Sequence, residues 1–297
     1  MAGRLRIALI TDIHYGDDDP TKRGSVALQL LDGALDEMDE WQPDLMVDLG
    51  DRLNERDEET DLTRLRALHE RFQRLDVPRV HLQGNHDVAK LSVEASERAL
   101  DTDLRHRSFD ANGWHLVFWY ADVSYESRVG NLTLTEDDLA WLRADLAATR
   151  LPTVLFSHVP LDDGSMIGNY YFEHKPFGRA GYKNAYLARA IVEQSDRVML
   201  AVAGHVHWNV LNTIDGVHYV TIQSLSETFT TAPHPVRTWA ELILGDVIEL
   251  RVHGKDPISF SLPTRRRQRH WLAYGGKANP VPRDHVARSV LERKCGD

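Results

Sequence analysis

The residues best suited to chemistry are Asp12 and His14 in "ITDIH", Asp51 in "DLGDRLNE", Asn85, His86 and Asp87 in "QGNHD", His158 in "LFSH", and His205 and His207 in "AGHVH". Imidazoles, carboxylates and an amide carbonyl make a donor set that suits divalent first-row metals: Mn²⁺, Fe²⁺, Co²⁺, Ni²⁺ or Zn²⁺. The single cysteine, Cys295, excludes an internal disulfide, an Fe–S cluster and a Cys-rich zinc site, so the ligands must be nitrogen and oxygen.

Each of these clusters stands at the end of a short apolar run: "IALIT", "DLMVDL", "RVHLQ", "TVLFS" and "VMLAVA". Continuous apolar runs separated by amphipathic segments are the mark of parallel strands covered on both faces. In open α/β sheets the carboxyl edge of the strands is where ligands bind, so five polar strand ends predict one site. Gly50, Gly84 and Gly204 precede the polar residues, where a chain leaving a strand needs unusual torsions or a close approach. Helix patterns fall at about residues 24–41 and 60–76, at "LTEDDLAWLRADLAAT" behind the N-cap Thr135, and at 184–194. After Gly204 the runs "VHYVTIQS", "TWAELIL", "DVIELRV" and "ISFSL" follow without long helices, with Gly245-Asp246 as a hairpin turn. The pattern predicts an α/β, four-layer sandwich of two mixed β-sheets flanked by α-helices, the later strands forming a second sheet on the first.

The chain has 297 residues, 42% of them hydrophobic, and a formal charge of −10, which describes an acidic globular protein and disfavours a nucleic-acid partner. From Arg265 onward nine Lys and Arg face three acids, a net +6 that leaves about −16 on the rest. The expected division is a domain over 1–262 and a basic tail over 263–297 that packs on the body or on a second subunit of a homodimer or higher homo-oligomer. The strand pattern begins within a few residues of Met1 and no apolar run approaches a membrane span, so the expectation is a cytoplasmic protein with no membrane partner.

Taken in order, D-x-H, G-D, G-N-H-D, H and G-H-x-H resemble the calcineurin-like metallophosphoesterase superfamily, and their spacing resembles its class III cyclic-nucleotide phosphodiesterase branch. The resemblance runs from Ile7 to about Ser224. It implies two divalent ions, one held by Asp12, His14 and His207 and one by Asn85, His158 and His205, with Asp51 between them. It further implies hydrolysis of a small phosphodiester or nucleotide by a hydroxide that the two ions share, with His86 protonating the leaving oxygen. Where many relatives carry an aspartate three residues beyond the bridging one, this chain has Asn54. Asn54 is therefore expected to orient His86 through its carbonyl without adding charge, so that Asn54→Asp raises the apparent pKa of the alkaline limb of activity.

For the substrate, Tyr15 beside His14 and the aromatic loop "MIGNYYFEHKPFGRAGYKN" offer Tyr170 and Arg179, with Ser224 and Ser226 as weaker candidates. Arg52 is expected either to reach a phosphate oxygen or to pair with the acids from Glu55 to Glu59, the pairing being favoured. Asp87 is expected to cap backbone groups, Asp48 to lie partly buried behind the bridge, and Asp17 to Asp19 to form a solvated turn; His69, His81 and His115 receive no role. Alternative functions are cleavage of a nucleoside-diphosphate linkage, as in ADP-ribose or CDP-alcohol pyrophosphatases, a phosphomonoesterase, and a non-catalytic binding scaffold.

Overall fold

A computed structural model of the chain describes residues 4–125, 130–175 and 177–264. The expected basic tail falls outside the described residues, apart from Pro263 and Thr264. Six strands, β1 (Leu5–Ile10), β2 (Leu45–Asp48), β3 (Arg79–His81), β10 (Ala240–Leu244), β11 (Val247–Val252) and β12 (Ile258–Pro263), form one sheet in the order β12-β11-β10-β1-β2-β3. The other six, β4 (Arg107–Ala111), β5 (Trp114–Phe118), β6 (Thr153–Phe156), β7 (Val198–Ala203), β8 (Val210–Ile214) and β9 (Val217–Thr221), form a second in the order β4-β5-β6-β7-β9-β8. Each has a parallel centre, β1-β2-β3 and β5-β6-β7-β9, with antiparallel strands added at the edges.

The strands read as unbroken apolar runs because they are buried twice. In β1, Ile7 and Leu9 point into the core between the sheets, with Val47, Leu116, Phe156, Val202 and Leu242. The alternate Ala8 and Ile10 face helices α1 (Ala27–Trp41), α2 (Glu58–Phe72) and α3 (Val93–Leu100), against Leu31, Leu68 and Phe72. Val117, Leu155 and Ala201 of the second sheet likewise meet α4 (Glu136–Ala148) and α6 (Ala185–Gln194). The four layers are thus helix, sheet, sheet, helix. Thr135 caps α4 as the sequence predicts, accepting from the Asp138 N–H at 3.1 Å in a reciprocal capping box. A short helix α5 (Phe177–Ala180) sits in the loop after β6.

One expectation needs correction. The strands after Gly204 do not make the second sheet: β8 and β9 join it, while β10 to β12 extend the first sheet beside β1. The hairpin at Gly245-Asp246 forms, but its first strand pairs antiparallel with β1, Leu5 opposite Leu244. Local patterning carries no information about which open edge a strand will join.

Candidate active site

Both sheets aim the carboxyl ends of their parallel strands at the same place. Asp12 and His14 follow β1, Asp51 follows β2, Asn85 follows β3, His158 follows β6, and His205 and His207 follow β7. The turns off these strands are strained: Asp12, His14, Asp51, His205 and His207 all have positive φ, between 48° and 66°. This region costs an L-residue roughly 1–2 kcal/mol, and it persists because hydrogen bonds fix the backbone on either side. Asp12 N–H donates to the Gly50 carbonyl at 2.9 Å, His14 N–H to Asp51 O at 3.0 Å, and His205 N–H to Asp12 Oδ2 at 2.9 Å. At Gly84 a Cβ would sit on the Asp51 carboxylate, and at Gly204 on Thr11 Oγ1 and Asp12 Oδ2. Only glycine lets the strands approach closely enough to gather the ligands.

The side chains converge. His207 Nε2 is 3.0 Å from Asp12 Oδ1 and 2.9 Å from His14 Nε2. Asp51 Oδ2 lies 3.3 Å from His158 Nε2 and 3.9 Å from both His14 Nε2 and His86 Nε2. Two of the clusters that could hold a metal ion are Asp12, His14 and His207, and Asp51, His158 and His205; a third joins Asp51 to His14 and His86. Asn85 Oδ1, His158 Nε2 and His205 Nδ1 are buried without a hydrogen-bond partner. Buried polar atoms are seldom left so, and three orphans at one spot fit a divalent ion. Electrostatics agree. Burial pushes the His158 and His207 imidazoles down, yet Asp51 beside the first and Asp12 beside the second raise them to about 9 and about 10. Burial, helped by Lys22 and by His158 respectively, lowers His14 to about 3 and His205 to about 4. Burial opposes ionisation of Asp12 and Asp51, but the imidazoles hold both carboxyls well below the usual range. The strand ends therefore draw positive charge to two neighbouring points.

His86 donates its backbone N–H to Asp51 Oδ1 at 2.8 Å and stays half-buried at the mouth. Its Nδ1 is held by the Glu55 carboxylate, which corrects the expectation for Asn54. The Asn54 amide turns away and donates to the Asp17 carbonyl at 2.8 Å. The charged orienter is one residue further along the same turn, where the chain still passes beneath the imidazole.

Arg52 is corrected too. It is fully buried, with Nη1 2.7 Å from Asp48 Oδ2 and Nη2 2.9 Å from Asp87 Oδ2, and it donates to the Leu82 carbonyl at 2.6 Å. It reaches neither a phosphate site nor the acids after Glu55. Asp48 is fully buried and also meets His81 Nδ1 at 2.9 Å, which gives that histidine a place in the network. Asp87 accepts from the N–H groups of Asp51, Arg52 and Gly84 at 2.9 to 3.0 Å, fixing the turn that carries Asp51. Asp19 caps its own turn through Thr21 and pairs with Lys22 at 3.2 Å.

A cavity of about 550 Å³ is lined by His86, His205 and His207, by Lys22 and Glu227, and by Tyr125, Tyr171, Phe172 and Arg179. Tyr15 does not line it; its ring packs half-buried against the core under the helices. Tyr170 is 73% exposed and only meets the Phe229 ring, so the aromatic loop contributes Tyr171 and Phe172 instead. Arg179 does line the cavity, its guanidinium 4.7 Å from the centre of the Tyr125 ring. Ser224 serves the backbone, donating to Asp12 O at 2.6 Å. Lys22, Glu55 and Glu227 were missed because in sequence they look like ordinary surface charges; Glu227 stands three residues beyond Ser224, past the end of β9, and that position is the signal that was available.

These features define an α/β sandwich with overlapping His and Asp clusters at its strand ends that could hold metal ions. The sequence profile of the calcineurin-like phosphoesterase family matches residues 5–209, and the chain belongs to that family. A 3′,5′-cyclic-nucleotide phosphodiesterase of Nostoc sp. is 25% identical over 239 residues, covering 76% of this chain and 82% of that protein. A dimetal phosphatase from Danio rerio superposes with a TM-score of 0.69 at 17% identity, covering 87% of this chain and 99% of that one. GAP50, the anchor in the inner membrane complex of Plasmodium, superposes at 0.58 with 12% identity, covering 89% and 90%. At such identities the structural likenesses establish the fold, and function is argued from the site. No helix among the described residues is long and apolar enough to cross a membrane.

Proposed function

We propose that this chain is a phosphodiesterase acting on 3′,5′-cyclic nucleotides or similar small phosphodiesters. The observation that carries the reading is the pair of ligand groups meeting at Asp51 with a carboxylate-held histidine beside them. Asp12, His14 and His207 would hold one divalent ion and Asn85, His158 and His205 the other, with Asp51 shared; Mn²⁺, Fe²⁺, Co²⁺, Ni²⁺ and Zn²⁺ all suit this set. Two such ions, when bound, clamp phosphoryl oxygens and lower the pKa of water between them. The chain's own part is to place His86 Nε2 on the cavity side as proton donor to the leaving oxygen, with Glu55 fixing which nitrogen faces the substrate. Tyr125, Tyr171 and Phe172 offer apolar faces to a base or ester group. The Nostoc relative's activity supports the substrate class.

The test is a Mn²⁺-loaded panel of bis-p-nitrophenyl phosphate, p-nitrophenyl phosphate, 3′,5′-cyclic AMP and ADP-ribose. Diester and cyclic-nucleotide turnover should exceed monoester turnover, and no diester turnover at any pH between about 5 and 9 would sink the proposal. Chelator treatment should abolish turnover and Mn²⁺ should restore it; activity that survives exhaustive chelation contradicts a metal-dependent site. Lys22 and Arg179, which both line the cavity, favour a second reading, cleavage of a nucleoside-diphosphate linkage whose two phosphates they would contact. Release of AMP from ADP-ribose, faster than cyclic AMP is opened, would select it.

Glu55→Gln should lower kcat for cyclic AMP by about 10²-fold while KM changes little, because the amide cannot hold His86 as a charged donor. For bis-p-nitrophenyl phosphate, whose leaving group needs no proton, the loss should be much smaller. Equal losses on both substrates would mean that Glu55 acts on something other than proton transfer.

A further inference from the structure

The four ligand histidines are each anchored through the ring nitrogen that faces away from the site. Three use backbone carbonyls: His14 Nδ1 meets Leu53 O at 3.2 Å, His158 Nδ1 meets Leu49 O at 3.0 Å, and His205 Nε2 meets Arg179 O at 2.7 Å. The fourth differs. His207 Nδ1 donates to Glu227 Oε2 at 2.7 Å, and Glu227 is completely buried. Its second oxygen accepts the Thr228 N–H, also at 2.7 Å. A buried carboxylate is costly unless it is hydrogen-bonded, and here both oxygens are used.

The segment that carries Glu227 is pinned from both sides. Thr228 N–H donates to Thr21 O at 2.9 Å, Arg23 N–H to Ser226 O at 3.0 Å, and Val236 N–H to Glu227 O at 2.8 Å. The carboxylate is thus delivered by fixed backbone rather than by a mobile side chain. A carboxylate holds an imidazole N–H about twice as strongly as a neutral acceptor does. It fixes the tautomer that leaves the Nε2 lone pair facing Asp12 and His14, and it makes that nitrogen a better electron donor.

We propose that Glu227 is the positioning residue that makes the Asp12–His14–His207 half of the site the tighter and first-filled metal position. The inference rests on the two-ion reading above. The other half, Asn85, His158 and His205, has only neutral donors apart from the shared Asp51 and is anchored only by carbonyls, so it fills second.

The test is titration of the chelator-treated full chain with Co²⁺, followed by calorimetry and by the visible absorption bands of the bound ion, for the wild type and Glu227→Gln. The wild type should bind two ions in separable steps. Glu227→Gln should weaken the tighter step by about 10- to 100-fold, shift the bands of the first ion and leave the weaker step unchanged. Glu55→Gln, whose carboxylate touches His86, should leave both steps as they are. If the wild type fails to bind two ions, the two-ion reading itself fails. If it binds two and Glu227→Gln matches it, the role of Glu227 alone is overturned. Should Glu227→Gln not fold, the wild-type ¹H–¹⁵N spectrum decides. The His207 Nδ1–H, assigned by its loss in His207→Gln, must appear downfield and exchange slowly, and a fast-exchanging signal refutes the proposal.

Discussion

Arg52→Met should cost about 3–5 kcal/mol of folding stability, the usual cost of removing one partner from a buried ion pair. At roughly 2–4 °C per kcal/mol for a domain of this size, the melting temperature falls by about 6–20 °C. Arg52 is fully buried between Asp48 and Asp87, and methionine fills its volume but leaves two acids without their cation. The loss should also depend on pH in a definite direction. Burial pushes the Asp48 carboxyl up, but Arg52 and His81 hold it below the ordinary carboxylate value, so it contributes stability above about pH 4 that is lost on acidification through its lower folded value. Burial raises Asp87 above that value despite Arg52, so its ionisation already works against the fold as pH rises. Without Arg52 both carboxyls move upward, the native state holds more protons than the unfolded chain, and the deficit of the variant widens from about pH 5 to pH 8. Urea melts in chelator at both pH values check this, since bound metal then adds nothing. A deficit equal at both would refute the charge account, and an unchanged melting temperature with a raised KM would return Arg52 to the substrate.

The same residue shows where sequence reading reaches its limit. The strand ends were legible because strands buried on both faces must be apolar throughout, so Asp12, Asp51, Asn85, His158 and His205 stand out as breaks in the pattern. The helices at 27–41, 136–148 and 185–194 were legible from periodicity and from the Thr135 cap. The edge strands β4 and β8 were missed because they are only half-buried and carry no apolar run, and α3 because it spans just eight residues. Charged partners are harder still. Arg52 precedes Glu55, Arg56, Asp57, Glu58 and Glu59, and in one dimension a solvated charge run is the natural reading. Of its two true partners, Asp48 sits inside an apolar strand and Asp87 lies 35 positions away, on the turn after the neighbouring strand. Glu55 was hidden for the same reason, since nothing local distinguishes an acid that meets an imidazole from one that meets water, and Glu227 had only its place past the end of β9 to mark it.

Asp51→Asn should show the opposite phenotype one residue away. Turnover of the metal-loaded protein falls by about 10³-fold, because Asp51 Oδ2, which faces both His14 and His158, loses its charge, and bound metal drops below two per chain. Stability in chelator falls by less than in Arg52→Met, because the His158 imidazole that Asp51 holds charged can shed its proton when that partner is lost. Asparagine tolerates the left-handed φ of 56° at this position, and its side-chain oxygen can still accept the His86 backbone N–H that Asp51 Oδ1 takes at 2.8 Å. The amide isolates the charge, whereas alanine would also release the loop that carries His86. Two tightly bound ions in Asp51→Asn, or turnover near that of the wild type, would overturn the proposal that Asp51 serves both ions. The contrast with Arg52 follows from the turn itself. With φ positive at Asp51, the chain reverses between the two residues, sending one side chain out to the strand ends and the next back among Asp48, Leu82 and Asp87. Asp87 joins the two by holding both backbone N–H groups. Arg52→Met should therefore act mainly on stability and lose some activity with it, while Asp51→Asn acts mainly on activity.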